Sequence, residues 1–197
     1  MSMDADGERV LTAAWRVLER SNFETCKIER IMKEADVSAR TFYRYFADKD
    51  ELLLALMRDE MARSSLHLAA AVAAAERPVD KVAIWISAVI GAASDPRRSA
   101  RARLFSAQQP LTRKYPNELA EGVALLTAPL RAALAEGIAS GDFKWADPDR
   151  DTALIYSLTG GEMSEALADH PALSTSERIE AAVAFVLRSL GVPPSER

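Results

Sequence analysis

The chain holds one cysteine, Cys26, in 197 residues. One thiol makes no internal disulfide and no Cys-rich zinc site, and it fits a reducing compartment. Histidine is nearly as scarce: His67 and His170 stand far apart, and no His-Glu-x-x-His pair occurs. A Gly-x-Ser-x-Gly elbow and a phosphate-cradling glycine loop are missing too. No catalytic or metal-binding residue is therefore assigned, no cofactor is expected, and the chain reads as a non-enzyme. Long apolar runs are absent. Leu66 to Ala75, the longest alanine-rich stretch, is too short and too weakly apolar to span a bilayer. Met1 to Arg9 is polar and acidic, without the apolar run of a signal peptide. The expectation is a cytoplasmic protein with no membrane contact. Positive charge is not in excess either: 25 basic against 29 acidic side chains give a net charge of −4. Bulk charge argues mildly against nucleic acid, so any affinity for DNA must come from local placement of charge.

Strand signals are also missing, with no useful alternating pattern, no Asn-Gly hairpin and no internal repeat. What is there, in a chain 49% hydrophobic, is helical periodicity. Val10, Leu11, Ala14 and Leu18 recur at three- and four-residue steps on a first helix. Ile28, Ile31, Met32 and Ala35 repeat the pattern on a short second, and a third runs from about Ala39 to Tyr45. Asp48, with Glu51 placed to complete a capping box, opens a long fourth helix carrying Leu52, Leu53, Leu56 and Met57 to about Ala74. Pro78 starts a fifth, where its missing N–H is not needed. Val82, Ile84, Trp85, Ile86, Val89 and Ile90 leave that helix almost no polar face, which places it in the middle of a domain. Asp95-Pro96 starts a sixth, to about Ala107. Leu119, Val123, Leu126, Leu130 and Leu134 stripe a seventh that ends near Gly141. Asp147-Pro148 opens an eighth. Ser174 and Glu177 cap a ninth, stopped by Gly191 and Pro193. The expected fold is all-α, with about nine helices. A three-helix head (1–47) is joined by the long fourth helix to a C-terminal body (48–197).

Residues 28–46 read as a helix-turn-helix. Asp36 stands at the turn, where a left-handed backbone is wanted and Asp tolerates it better than most. Val37 plugs the helix crossing, and Ser38 caps the second helix of the pair and is itself a candidate DNA contact. That helix exposes Ala39, Arg40, Thr41, Tyr43 and Arg44. Arg bridges O6 and N7 of guanine in the major groove, and Thr hydrogen-bonds a base or touches a thymine methyl. Tyr43 and Tyr45 reach phosphates through their hydroxyls. Lys49 lies at the next helix N-terminus, where positive charge and free N–H groups together favour a phosphate. Phe42 and Phe46 read as core. From Lys27 to Lys49 the six basic and four acidic residues leave a net charge of only +2.

The run from Asp36 to Leu52, Asp-Val-Ser-Ala-Arg-Thr-Phe-Tyr-Arg-Tyr-Phe-Ala-Asp-Lys-Asp-Glu-Leu, resembles the TetR family of transcription regulators. The usual pattern of that family is Gly-Val-Ser-x-x-Thr-Leu/Phe-Tyr-x-Tyr-Phe-x-x-Lys-Glu-x-Leu. The resemblance in sequence covers roughly residues 8–57; beyond it, helix count, order and length agree. Some positions depart from the pattern. Cys26 and Lys27 stand where hydroxyl residues commonly start the second helix, with Lys27 kept as a DNA contact. Met32 replaces a usual alanine and Asp36 a usual glycine. Glu29 falls near DNA, repelled by phosphate or accepting from cytosine N4. The resemblance implies a homodimer with recognition helices in successive major grooves, about 34–36 Å apart on a palindromic operator. It further implies a body that binds a small-molecule effector, so that the protein acts as a repressor released by that effector. A helix-turn-helix regulator without a small-molecule trigger, or an activator, is the alternative.

The resemblance places an effector cavity among helices four to eight. Candidate liners are Met61, Trp85, Ile86, Phe105, Gln108, Tyr115, Leu126, Met163 and Leu167, each equally readable as core packing. Pro129 interrupts the seventh helical pattern, either kinking a cavity wall or adjusting packing. His67 lies on the fourth helix, which family members use to couple effector to DNA; a surface histidine is the plainer reading. Arg97, Arg98, Arg101 and Arg103 are either a solvated face or a site for an anion or the head. The eighth helix spreads Leu154, Ile155 and Leu158 widely around Gly160-Gly161. Each glycine costs about 1 kcal/mol there, which makes sense where backbones approach closely. In the family the last two helices pair with their symmetry mates, so Leu154, Leu158, Gly161, Ile179, Val183 and Val186 are the expected dimer interface. A glycine kink within a monomer is the competing reading.

Overall fold

The computed structural model describes residues 4–18, 26–106, 109–168 and 170–193, and of residues 104–106, 109, 110 and 112 the backbone alone. The helices are α1 (Ala5–Leu18), α2 (Ile28–Ala35), α3 (Ala39–Tyr45), α4 (Lys49–Ala73) and α5 (Pro78–Gly91), then a 3-10 turn (Ala92–Ser94). α6 (Pro96–Ser106), α7 (Gln109–Lys114), α8 (Pro116–Ser140), α9 (Pro148–Ala166) and α10 (Thr175–Ser189) follow. Among the described residues the fold is all-α. It has one helix more than the periodicity indicates, because α7, at six residues, is too short to show a repeating face. The caps of α9 and α10 are where the sequence puts them. Asp147 accepts the N–H groups of Asp149 and Arg150 at the start of α9. Ser174 and Glu177 make both bonds of a capping box on α10.

The chain divides into two compact units, Met1–Glu60 with Leu104–Leu119, and Met61–Arg103 with Ala120–Arg197. Compactness therefore does not divide the chain at residue 47. In the first unit α1 packs against α2 and α3. Val10, Ala14, Phe42, Leu52, Leu53 and Leu56 are fully buried, and burial of each large side chain stabilises by about 1.5–3 kcal/mol. The Trp15 indole N–H donates to Asp59 at 3.0 Å. α7 belongs here because Leu111 is buried and Lys114 reaches Asp50 at 2.9 Å and Asp48 at 3.1 Å.

In the second unit α5 packs against α9 and α10. Its Val82, Trp85, Ile86 and Ile90 are fully buried in one cluster with Leu130 and Leu134 of α8, Val186 of α10 and Leu190 just past the end of α10. The Trp85 indole donates to the Leu126 carbonyl at 3.1 Å. Pro129 lies within α8 and removes the donor that the Leu125 carbonyl would use. The indole therefore supplies a donor to the helix one residue further on. Gly137 lets the chain fold back: a Cβ there would stand 2.2 Å from the Phe143 ring. Gly141, at φ +83°, reverses the backbone just past α8.

α8 is long and apolar enough to cross a membrane, with a mean hydropathy of 1.3 over its most apolar stretch. Its Leu130, Ala133 and Leu134 lie in the protein core, while Arg131 and Glu136 pair with Asp149 and Lys81. Of its most apolar stretch 33% is buried, and core packing accounts for that part of its hydropathy.

Candidate nucleic-acid interface

The turn between α2 and α3 sets the geometry. Asp36 has φ 53° and ψ 52°, the left-handed region, and it alone among the described non-glycine residues has positive φ. Its N–H donates to the Lys33 carbonyl at 3.3 Å and that of Val37 to Met32 at 3.1 Å, closing the last turn of α2. Ser38 Oγ then accepts the Thr41 N–H at 3.0 Å and lies 2.9 Å from Thr41 Oγ1. That cap starts α3 at once. Phe42 and Phe46 pin α3 to the head core, their ring centroids 5.6 Å apart.

Burying those two rings turns the opposite side of α3 outward. Ala39, Arg40, Tyr43 and Arg44 are exposed, and Thr41 and Tyr45 half-buried. Tyr43 is 54% exposed, its ring held edge-on by Phe42 at 5.3 Å. The hydroxyls of Ser38 and Thr41 are engaged with each other in the cap, so their first task is to build the helix. Lys27 is exposed at the N-cap position of α2, and Lys49 is half-buried at the first position of α4. Asp48 Oδ1 accepts the Glu51 N–H at 2.8 Å, but Glu51 accepts in return from Ala47 at 2.7 Å. The reciprocal bond thus lands one residue earlier than a capping box requires.

Two groups of partners lie outside the motif. Arg44 Nη2 donates to Asp6 at 3.3 Å and to the Tyr45 hydroxyl at 2.5 Å, and the Tyr45 hydroxyl donates to Asp4. The Tyr45 bond holds the Asp4 carboxyl below its ordinary value, while Asp4 pushes the Tyr45 hydroxyl up. At the start of α4, Lys114 is raised by Asp50 and then by Asp48. Asp48 is lowered chiefly by the Glu51 N–H and further by Lys114. Lys114 therefore neutralises carboxylates that would repel a phosphate at this helix N-terminus. Sequence reasoning missed all of this: Asp4 and Asp6 read only as an acidic start, and nothing local ties Lys114 to residues 64 and 66 positions away.

The effector candidates fall in both units. Trp85 and Leu126 meet through the indole bond, and Trp85, Ile86 and Leu167 are buried as core. Met61 is half-buried, and a Cβ on Gly122 would stand 2.1 Å from its sulfur. Met163 is half-buried. Tyr115 lies in the first unit with Lys114 over its ring. The Phe105 side chain and Gln108 lie outside the described residues. A cleft of about 430 Å³ opens between α1 and α2, lined by Glu8, Arg9, Thr12, Arg16 and Glu34; no effector candidate borders it. Of the dimer candidates, Leu154 is 61% exposed, Gly161 exposed, and Leu158, Ile179 and Val183 half-buried. Val186 is corrected: it is 1% exposed inside its own protomer's core and offers no surface to a second copy. Phe185, 53% exposed on α10, is a large apolar residue that the sequence reading passed over.

Residues 10–56 match the family model described as bacterial regulatory proteins, tetR family. A fatty acid metabolism regulator protein of Bacillus subtilis (strain 168) is 26% identical over 138 residues, 69% of this chain and 70% of that protein. The structure resembles that of the transcriptional regulator FadR from Bacillus subtilis in complex with stearoyl-CoA. The TM-score is 0.75 at 19% identity, over 92% of this chain and 98% of that one. It also resembles RolR in complex with resorcinol, with TM-score 0.68 at 20% identity, over 97% and 90% of the two chains. The helix-turn-helix that turns Arg40, Tyr43 and Arg44 outward lies within the matched residues, and this chain is a DNA-binding transcription regulator whose residues 10–56 match the tetR family.

Proposed function

We propose that the protein is a cytoplasmic homodimeric repressor that leaves a palindromic operator when a small molecule binds its body. The outward side of α3 carries this reading: Arg40 and Tyr43 are exposed on a helix held rigidly by Phe42 and Phe46. Arg40 reads guanine, Tyr43, Arg44 and Tyr45 take phosphates, and Lys27 and Lys49 add positive charge at two helix starts. Leu154 and Phe185, exposed on α9 and α10, join Leu158, Gly161, Ile179 and Val183 in covering a second copy, as two-fold operators favour.

Long-chain acyl-CoA is the effector class to try first. The 138 residues similar to the Bacillus subtilis protein extend well past the 10–56 match, so the likeness enters the body. A small phenol of the resorcinol kind is the second class, since a similar fold holds one. The deciding experiment is a mobility shift on the DNA flanking the protein's own gene, across a salt series, with an Arg40→Ala/Tyr43→Ala double variant beside it. Sequence-specific binding that weakens steeply with salt, vanishes in the variant and is reversed by an acyl-CoA supports the full reading. Specific binding that no compound of either class reverses overturns the effector assignment. Failure to select any sequence from a genomic library overturns the repressor.

A further inference from the structure

Two of the phosphate-binding groups on α3 are already engaged by the head's own N-terminus. Asp4 Oδ1 accepts from the Tyr45 hydroxyl, and Asp4 Oδ2 lies 3.8 Å from Arg44 Nη2. Asp6 Oδ2 lies 3.3 Å from the same nitrogen. These carboxylate oxygens have the charge and the accepting geometry of the phosphate oxygens that Arg and Tyr meet on DNA. Their position is held. Asp4 also caps α1, its Oδ1 accepting the N–H groups of Asp6 at 3.1 Å and Gly7 at 3.3 Å. α1 packs against α3, and Arg9 pairs with the other oxygen of Asp6, Oδ1, at 3.2 Å. The side chains of Arg44 and Asp4 are 59% and 64% exposed, so a DNA strand reaches them without unfolding anything.

We propose that Asp4 and Asp6 are an intramolecular phosphate mimic. In the DNA-free protein they occupy Arg44 and Tyr45, and a DNA backbone must displace them. The acids thus weaken binding to every sequence through the same two side chains. When phosphate evicts them, the freed carboxylates recruit cations while the DNA releases its own, so net counterion release is smaller than the count of contacts implies. The proposal rests on α3 binding DNA and is independent of effector and operator.

Asp4→Asn/Asp6→Asn tests it, because Asn caps a helix as well as Asp does and so keeps the start of α1. The probes are a random-sequence duplex and a duplex selected from a random library by the unmodified protein. The variant is expected to bind both about three- to tenfold more tightly at low salt, with a log–log salt slope steeper by about one. Asp6→Asn alone leaves the cap untouched and gives an intermediate gain. Arg44→Ala is expected to weaken binding more in the double-Asn background than in the unmodified one. Equal or weaker binding by both Asn variants, with unchanged slope, would overturn the proposal and make the acids supports that orient Arg44 and Tyr45. Absence of binding by every protein to either duplex would instead overturn the DNA-binding reading, and the mimic with it.

Discussion

Tyr43 and Trp85 are both large aromatics inside a helix, one 54% exposed in the head and the other fully buried in the body. The helices around them differ in the same sense. α3 is anchored by Phe42 and by Phe46 just past its end, and turns Ala39, Arg40, Tyr43 and Arg44 to solvent. α5 turns almost everything inward and satisfies even the indole N–H within the protein. A half-exposed aromatic keeps a face for a partner, whereas a fully buried one is explained by the fold. Head and body should therefore separate cleanly when one is broken without the other.

The largest effect is expected at Trp85. Trp85→Ala empties the centre of the body and removes the indole bond to the Leu126 carbonyl, which costs about 3–5 kcal/mol. Urea unfolding measures it, and a loss under about 1 kcal/mol would show that the body is not built around this residue. The head gives the opposite pattern. Arg40→Ala or Tyr43→Ala should leave unfolding within about 0.5 kcal/mol of the parent, while each weakens operator binding by about 1–3 kcal/mol. Equal losses of stability and binding would erase the distinction between the two regions.

The same contrast explains what the sequence disclosed. The helix-turn-helix is local: the left-handed Asp36, the Ser38 cap and the two anchoring phenylalanines all lie within eleven residues, so their spacing alone specifies α2, the turn and α3. The caps at Asp147 and Ser174 were legible for the same reason. What was not legible is long-range. Lys114 meets Asp48 and Asp50, and Arg44 meets Asp4 and Asp6, across separations that no periodicity encodes. Val186 looked like interface because an apolar residue on a helix with two apolar sides faces its own core or a second copy with the same pattern. α7 escaped because six residues show no face.

Backbone conformation gives a finer comparison. In the body, Gly137→Ala would place a methyl 2.2 Å from the Phe143 ring, and overpacking of this kind costs about 1–3 kcal/mol. In the head, Asp36→Ala loses the tolerance of Asp for the left-handed region and destabilises by about 1 kcal/mol. Asp36→Gly relieves the conformation at once and lies within about 1 kcal/mol on the stabilising side. Thermal unfolding resolves both, since 1 kcal/mol moves Tm by about 2–4 °C in a chain of this size. A neutral Gly137→Ala would mean that Phe143 swings away freely.

The smallest expected effect is on acid stability, and it too differs between the regions. In the body, the Ser174 hydroxyl and then its N–H hold the Glu177 carboxyl below its ordinary value, at 2.7 and 2.8 Å. In the head, the Glu51 N–H and then Lys114 do the same for Asp48. A carboxyl lowered by folding stabilises the protein above its unfolded value, near about 4, and loses that contribution as pH falls through the folded value. Stability should therefore be level from neutrality to about pH 5 and fall below about pH 4. Glu177→Gln keeps an acceptor oxygen but cannot titrate, so it should make the acid limb shallower to the same extent at low and high salt. Lys114→Ala acts through an exposed ion pair, so the Tm it lowers at neutral pH should recover as salt rises. If Glu177→Gln leaves the acid limb unchanged, the capping box does not set the acid stability of the body. If the Lys114→Ala deficit ignores salt, α7 is held to the head by Leu111 packing rather than by its charge.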